Sequence, residues 1–211
     1  MIGFSGAHRV GKTTLAQAFA EKHDMTFLKT SATEVFRAAG LNPAASMPID
    51  TRIAIQESML QVFEKHYAAA ATKSTIGLFV ADRTPIDLAA YLLAEVQQNT
   101  TVGQEQETVN FAAQYVKRCL ECADRWFSTI LIVQPGIQVV EADGKARGCP
   151  LFMEHLNTLM LGLTADERLK CRNYYIPRRV VSLEARLHAS ERAVARGVES
   201  FNAERELLTM H

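Results

Sequence analysis

Positive charge is not in excess in this chain. Lys and Arg together number 23, as do Asp and Glu, so the formal net charge is zero. That argues against a broadly basic surface of the kind that tracks nucleic acid, although a local basic cleft stays open. No run of about 18 apolar residues occurs, so no membrane span is expected. The first residues lack a charged segment leading into an apolar stretch and a cleavage site. They read as a buried strand, and the expected location is the cytoplasm. Cysteine is sparse: Cys119, Cys122, Cys149 and Cys171. Cys119 and Cys122 form a CxxC, but inside the helical pattern YVKRCLECADRW they share one helix face. No second CxxC and no Cys–His cluster completes a metal site, so ordinary reduced thiols are expected. Internal repeats, low-complexity segments and interdomain linkers are missing too. What is present is 211 residues, 48% of them hydrophobic. That suits one domain with a real core, or one domain with an inserted lid.

Short buried runs alternate with amphipathic stretches. Residues 2–4 read as a strand, 6–11 as a loop, 13–23 as a helix and 26–29 as a second strand. Ser31 and Glu34 form a capping box for a short helix that stops at Gly40. After the loop LNPAASMP, a long helix covers 49–71, with Ile49, Ile53, Met59, Phe63 and Tyr67 at helical spacing. STIGLFVADR holds a buried strand of the parallel type. Thr84 as N-cap, Pro85 in the first turn and Asp87 three residues after the cap start a helix to about residue 97. QNTTVGQ links to a helix over 105–126, and STILIVQPG holds another strand. A loop covers 137–148, helices cover 151–163 and 166–171, and NYYIPRRVVS holds a last strand. Ser182 then caps a helix to about residue 196, ended by Gly197. Such alternation predicts an α/β fold with a parallel sheet, whose ligands sit at the carboxyl ends of the strands.

The first strand runs into Gly6-Ala7-His8-Arg9-Val10-Gly11-Lys12-Thr13, which fits GxxxxGK[ST] at every fixed position and lies between a strand and a helix. Backbone N–H groups of such a loop converge on anionic oxygens. Lys12 would reach the β- and γ-phosphates of a nucleoside triphosphate, and the Thr13 hydroxyl would ligate Mg²⁺. Gly6, His8, Arg9, Val10, Gly11, Lys12, Thr13 and Thr14 are the candidate phosphate-binding residues. The competing reading is a glycine turn before a helix, roughly a one-in-a-hundred chance match. The side chains of His8 and Arg9 sit at variable positions and are expected to face solvent, with Arg9 the one that could touch phosphate. The third strand ends in Asp82-Arg83. Asp82 is placed to hold Mg²⁺, partly through water, or to contact an acceptor, and Arg83 to meet a phosphate with its planar fork. A surface ion pair is the alternative. Asp87 is read as a helix cap.

FSGAHRVGKTTLA together with ADRTPIDLAAYLLAE resembles the P-loop nucleoside and nucleotide kinases, and within them the phage-type deoxynucleoside monophosphate kinases and the related ribosylnicotinamide-kinase-like group. The likeness extends over TSATEVFRAAGLNP, TRIAIQESML and, weakly, DGKARG. It implies a three-layer P-loop fold with a parallel five-stranded sheet and a helical lid in a single domain over 1–211. Acceptor-binding helices would lie at about 31–73 and the lid at about 136–172. ATP and Mg²⁺ are the implied cofactors and nucleotides the implied partners. Stable nucleic-acid or membrane binding is not implied, a homodimer is left open, and a phage-encoded chain would work in the host cytoplasm.

In similar kinases the acceptor lies between the second strand, the long helix and the Asp-Arg segment. Arg52 and Gln56 share one face of the long helix. Arg52 could pair with an acceptor phosphate or with Asp50 or Glu57, and Gln56 could read a base edge or be solvated. Phe36 and Phe63 are core residues or base-stacking ones. Kinases that act on a neutral hydroxyl usually place a carboxylate after the second strand. Here Lys29, Thr30 and Ser31 stand there, and Lys29 suits a phosphate. Basic lid residues in similar kinases close over the phosphates, which marks Lys145 and Arg147, with Arg168, Arg172, Arg178 and Arg179 as further candidates. The expected activity is transfer of the ATP γ-phosphoryl group to a nucleoside monophosphate, a deoxynucleotide by preference. Lys12, Asp82, Arg83 and Arg147 would be catalytic, Thr13 and Asp82 would hold the metal, and Lys29, Arg52, Gln56 and Arg83 would bind the acceptor. A nucleoside or ribosylnicotinamide kinase is the near alternative. A P-loop ATPase or switch acting on a protein partner is the distant one, disfavoured because no acidic residue directly follows Asp82.

Overall fold

The structure, a computed structural model, describes residues 1–42, 45, 47–74, 77–99, 106–137 and 149–209. Five strands form one parallel sheet: β1 (Ile2–Ser5), β2 (Thr26–Leu28), β3 (Phe79–Ala81), β4 (Thr129–Val133) and β5 (Arg172–Ile176), in the order β2-β3-β1-β4-β5. Ile2 lies opposite Val80 on one side and Thr129 on the other. β1, β3 and β4 are buried along their whole lengths, which explains their unbroken apolar runs. The helices are α1 (Lys12–Lys22), α2 (Ala32–Ala38), α3 (Ile49–Lys73), α4 (Pro85–Asn99), α5 (Gln106–Trp126), α6 (Pro150–Thr164) and α7 (Leu183–Thr209). None of the described helices is long and apolar enough to cross a membrane.

The core packs both faces of the sheet. Tyr67 of α3 stacks on Phe79 of β3 at 5.9 Å and meets Phe127 edge-on at 5.1 Å. Phe63, also on α3, is fully buried and therefore a core residue rather than a base-stacking one. Each large apolar side chain so buried contributes about 1.5–3 kcal/mol. Cys119 and Cys122 are buried and unpaired on α5, and burial pushes the Cys122 thiol up to about 12. Neither is a reactive thiolate, and no group of three or more metal-ligating side chains occurs among the described residues.

Two expected elements are corrected. The helix over 166–171 is a turn. Three of its N–H groups are taken by carboxylates: Arg168 donates to Asp166 Oδ1, and Lys170 and Cys171 donate to Asp124 Oδ1. A carboxylate acceptor satisfies those donors without a helical ladder. Gly197 does not end the last helix, because α7 continues through it to Thr209. A Cβ there would lie 3.0 Å from Thr129 Oγ1 and 3.5 Å from Tyr174, so this glycine lets α7 approach the sheet closely. Of the expected lid at about 136–172, residues 138–148 lie outside the described residues and α6 supplies much of the remainder.

Candidate active site

β1 delivers the chain to Gly6, and the loop closes at Gly11, whose φ of 84° suits glycine. No side chain caps α1 and its first turn carries no acidic residue, which leaves the start of the helix open to an anion. Lys12 is only 6% exposed. Its Nζ donates to the Gly6 carbonyl at 2.5 Å and the Ala7 carbonyl at 2.7 Å, 3.9 Å from Asp87 Oδ1. Burial lowers Lys12 to about 8, and Asp87 opposes that shift. Thr13 and Thr14 are exposed at the start of α1. His8 does not face solvent as expected. Its Nδ1 lies 3.2 Å from the Tyr91 hydroxyl and its ring 6.0 Å from that of Phe152, so the loop is folded against α4 and α6. Arg9 is half-buried, with a left-handed φ of 62°.

Asp82 stands at the carboxyl end of β3 and is 3% exposed. Its Oδ2 accepts from Thr13 Oγ1 at 2.7 Å, and its Oδ1 accepts from Thr30 N at 2.9 Å and Thr30 Oγ1 at 3.1 Å. The phosphate loop, β3 and the segment after β2 therefore meet at one carboxylate. The Thr13 hydroxyl and the Asp82 carboxylate are hard oxygen donors side by side, a set that fits Mg²⁺. Arg83 lies over the Tyr91 ring at 5.9 Å and shares a hydrogen bond with that residue. Burial works against its charge, but Tyr91, Asp87 and Asp82 outweigh it and keep the guanidinium pKa above its ordinary value.

Asp87 caps α4 as expected, accepting from Thr84 N at 2.9 Å, and it does more: its Oδ1 accepts from Gly6 N at 3.2 Å. The acceptor candidates are held by a residue the sequence reading missed. Glu95 accepts from Arg52 Nη1 and from Gln56 Nε2, both at 3.2 Å. Arg52 therefore pairs with neither Asp50 nor Glu57, and Glu57 takes Arg118 instead. Gln56 is 2% exposed rather than solvated, and its Oε1 accepts from the Tyr115 hydroxyl at 3.3 Å. Burial raises the Glu95 pKa, against the pull of Arg52 and Gln56. Phe36 is buried under the Arg52 guanidinium at 5.9 Å. Lys29 is exposed just after β2.

Asp87, Tyr91 and Glu95 fall four residues apart on α4. They form one polar stripe that runs from the phosphate loop, past Arg83, to Arg52 and Gln56. That spacing was visible in DLAAYLLAE, but the apolar residues between hid which face carried it. Arg186 on α7 was also missed: it is 3% exposed and donates from Nη1 to the Val10 carbonyl at 2.7 Å. Lys145 and Arg147 lie outside the described residues. Arg168 and Arg178 are paired to Asp166 and Glu154. Arg172 begins β5, at the end of the sheet away from the phosphate loop, and Arg179 is exposed in the turn that follows that strand.

A family model described as an AAA domain matches residues 1–144, the stretch that carries the phosphate loop, the Thr13–Asp82 pair and the α4 stripe. The chain belongs to this AAA-domain family. No curated protein matches it in sequence. The AAA-domain chain shares its fold with deoxyadenosine kinase from M. mycoides. The structure of that enzyme with bound dCTP has a TM-score of 0.64 at 12% identity, over 92% of this chain and 98% of the other. The one with product dCMP and a flexible dCDP has a TM-score of 0.66 at 13% identity over the same shares. The architecture is therefore the α/β P-loop kinase fold with a parallel five-stranded sheet, as the sequence indicated.

Proposed function

We propose that this chain is a phosphotransferase that moves the γ-phosphoryl group of ATP, with Mg²⁺, to a nucleoside monophosphate, a deoxynucleotide by preference. The observation that carries the reading is the Asp82 carboxylate, fixed between Thr13 of the phosphate loop and Thr30 after β2, with Arg83 beside it. It brings donor-binding and acceptor-facing segments to one point at the carboxyl end of the sheet. The fold shared with deoxyadenosine kinase supports phosphotransfer as the reaction class.

In this reading Thr13 and Asp82 hold the cation, which supplies charge neutralisation on the β- and γ-phosphate oxygens. Lys12 exchanges the Gly6 and Ala7 carbonyls for those oxygens. Arg83 and Arg52 orient the acceptor phosphate, with Lys29 at its entrance and Gln56 at the base. Arg147 would neutralise charge on the transferring group. The acceptor helices at about 31–73 and the lid at about 136–172 belong to a single domain. Catalysis is mostly positioning and charge stabilisation, since an acceptor phosphate is already an anionic nucleophile.

A nucleoside acceptor is the second reading. It is favoured by the shared fold with an enzyme named for deoxyadenosine, and in it Asp82 would take the hydroxyl proton. A panel of deoxynucleosides and their monophosphates, assayed with Mg²⁺ and ATP labelled at the γ-phosphoryl group, separates the two. Label in nucleoside diphosphates is the expected result, and label only in monophosphates moves the assignment to the second reading. Rapid ATP hydrolysis without any acceptor, unchanged by Arg83→Ala, would sink both and restore an ATPase or switch.

A further inference from the structure

Arg186 is a buried cation without a buried anion. Taking a guanidinium out of water costs several kcal/mol unless charge and hydrogen bonds compensate. Its Nε donates to the Val180 carbonyl at 2.8 Å and its Nη1 to the Val10 carbonyl at 2.7 Å. Both acceptors are neutral, and no carboxylate pairs with this residue among the described residues. Its Nη2 is buried with no hydrogen-bond partner there. Burial lowers the pKa of the group, as expected of a charge lacking its counterpart.

The location narrows what the counterpart is. Nη1 lies 3.2 Å from where a Cβ on Gly11 would stand, and Ile137 Cδ1 is equally close on that position. The guanidinium therefore rests against the N-terminus of α1, whose first turn has neither a capping side chain nor an acidic residue. Two independent features, an uncapped helix start and a spare buried N–H, converge on one missing negative charge.

We infer that Arg186 is a nucleotide-binding residue supplied by the C-terminal helix, with Nη2 donating to the phosphate chain of the nucleotide held in the loop while Nε and Nη1 fix the guanidinium through Val180 and Val10. This rests on the reading of Gly6 to Thr14 as a nucleotide site, not on the identity of the acceptor. It assigns α7 a part in binding that the phosphate-loop motif, 176 positions away, does not announce.

The test is calorimetric titration of wild type, Arg186→Gln and Arg186→Lys with Mg·ATP, Mg·ADP and adenosine, each variant checked by its thermal melt. The loss of one charge-assisted bond to phosphate predicts that Arg186→Gln weakens ATP and ADP about tenfold or more and adenosine by less than about twofold. Arg186→Lys, which keeps the charge and is the working variant where the glutamine fails to fold, gives a smaller loss with the same selectivity. An unchanged ATP affinity in a folded variant overturns the inference. So does an equal loss for ATP and adenosine, which would make Arg186 a strut for the loop alone. Wild type that binds ATP yet phosphorylates no nucleoside or nucleotide refutes the kinase reading and leaves this one standing. Wild type that binds no ATP refutes both.

Discussion

Around the phosphate loop, hydrogen bonds run largely between side chains and main chain: Lys12 to Gly6 and Ala7, Asp87 to Gly6, Asp82 to Thr30, Arg186 to Val10. Across the acceptor side they run mostly from side chain to side chain, joining Arg52, Gln56, Glu95 and Tyr115 from three helices. The first arrangement depends on backbone shape and a few fixed residues, so under the proposed function it would suit any polyphosphate. The second depends on the identity of every member, so one substitution re-aims the rest. Under the proposed function, the donor half would suit a constant ligand and the acceptor half a selected one, with α4 joining them through Asp87, Tyr91 and Glu95.

That contrast breaks most visibly at Lys12. Its replacement, Lys12→Ala, removes the charge to which the proposed function gives neutralisation of the transferring phosphoryl group, and a loss of about a thousandfold or more in kcat is expected. The fold should survive, because a buried ammonium is exchanged for a small apolar group. Steady-state rates beside a thermal melt check both halves of the statement. A folded, active Lys12→Ala chain would remove the donor role assigned to the loop.

Arg52→Met sharpens the other half. It should raise KM for the monophosphate acceptor about tenfold, as expected for one charged contact, while KM for ATP stays put. A matched rise in both constants would mean that the two halves are not separable. The different construction of the halves also explains what could be read from the chain alone. The backbone turn of GAHRVGKTT and the Thr84–Asp87 cap are local: a few consecutive residues fix their geometry, and both lie between a strand and a helix as expected. Glu95 and Tyr115 could not be placed, because their roles depend on how α4 and α5 meet α3. Gln56 reads as an exposed polar residue until those helices cover it. Arg186 is more distant still, since only the packing of α7 on α1 brings it to the loop. The turn that replaces the helix expected over 166–171 has the same origin, as the N–H groups of Lys170 and Cys171 are taken by Asp124, 46 residues away from Lys170. The contacts of His8 are hidden in the same way, because its partners, Tyr91 and Phe152, come from separate helices.

The smallest expected effect concerns the charge that the acceptor half keeps inside. Burial raises the Glu95 pKa above the usual carboxylate value, with Arg52 and Gln56 opposing the shift. In the interval between the unfolded and the folded value, the folded chain binds the proton more tightly. The stability that this group contributes is therefore present in full below the unfolded value and is lost as pH rises through the raised one. Glu95→Gln keeps the volume and an acceptor for Arg52 but cannot titrate. Thermal melts from mildly acid pH to neutrality should then show wild type losing ground to the variant as pH rises. Curves that stay parallel would mean that the pull of Arg52 and Gln56 cancels the burial, and that the acceptor network carries no titratable strain. A variant that gains on wild type as pH rises while its ATP affinity is unmoved would confine that strain to the acceptor side, where the side-chain network predicts it.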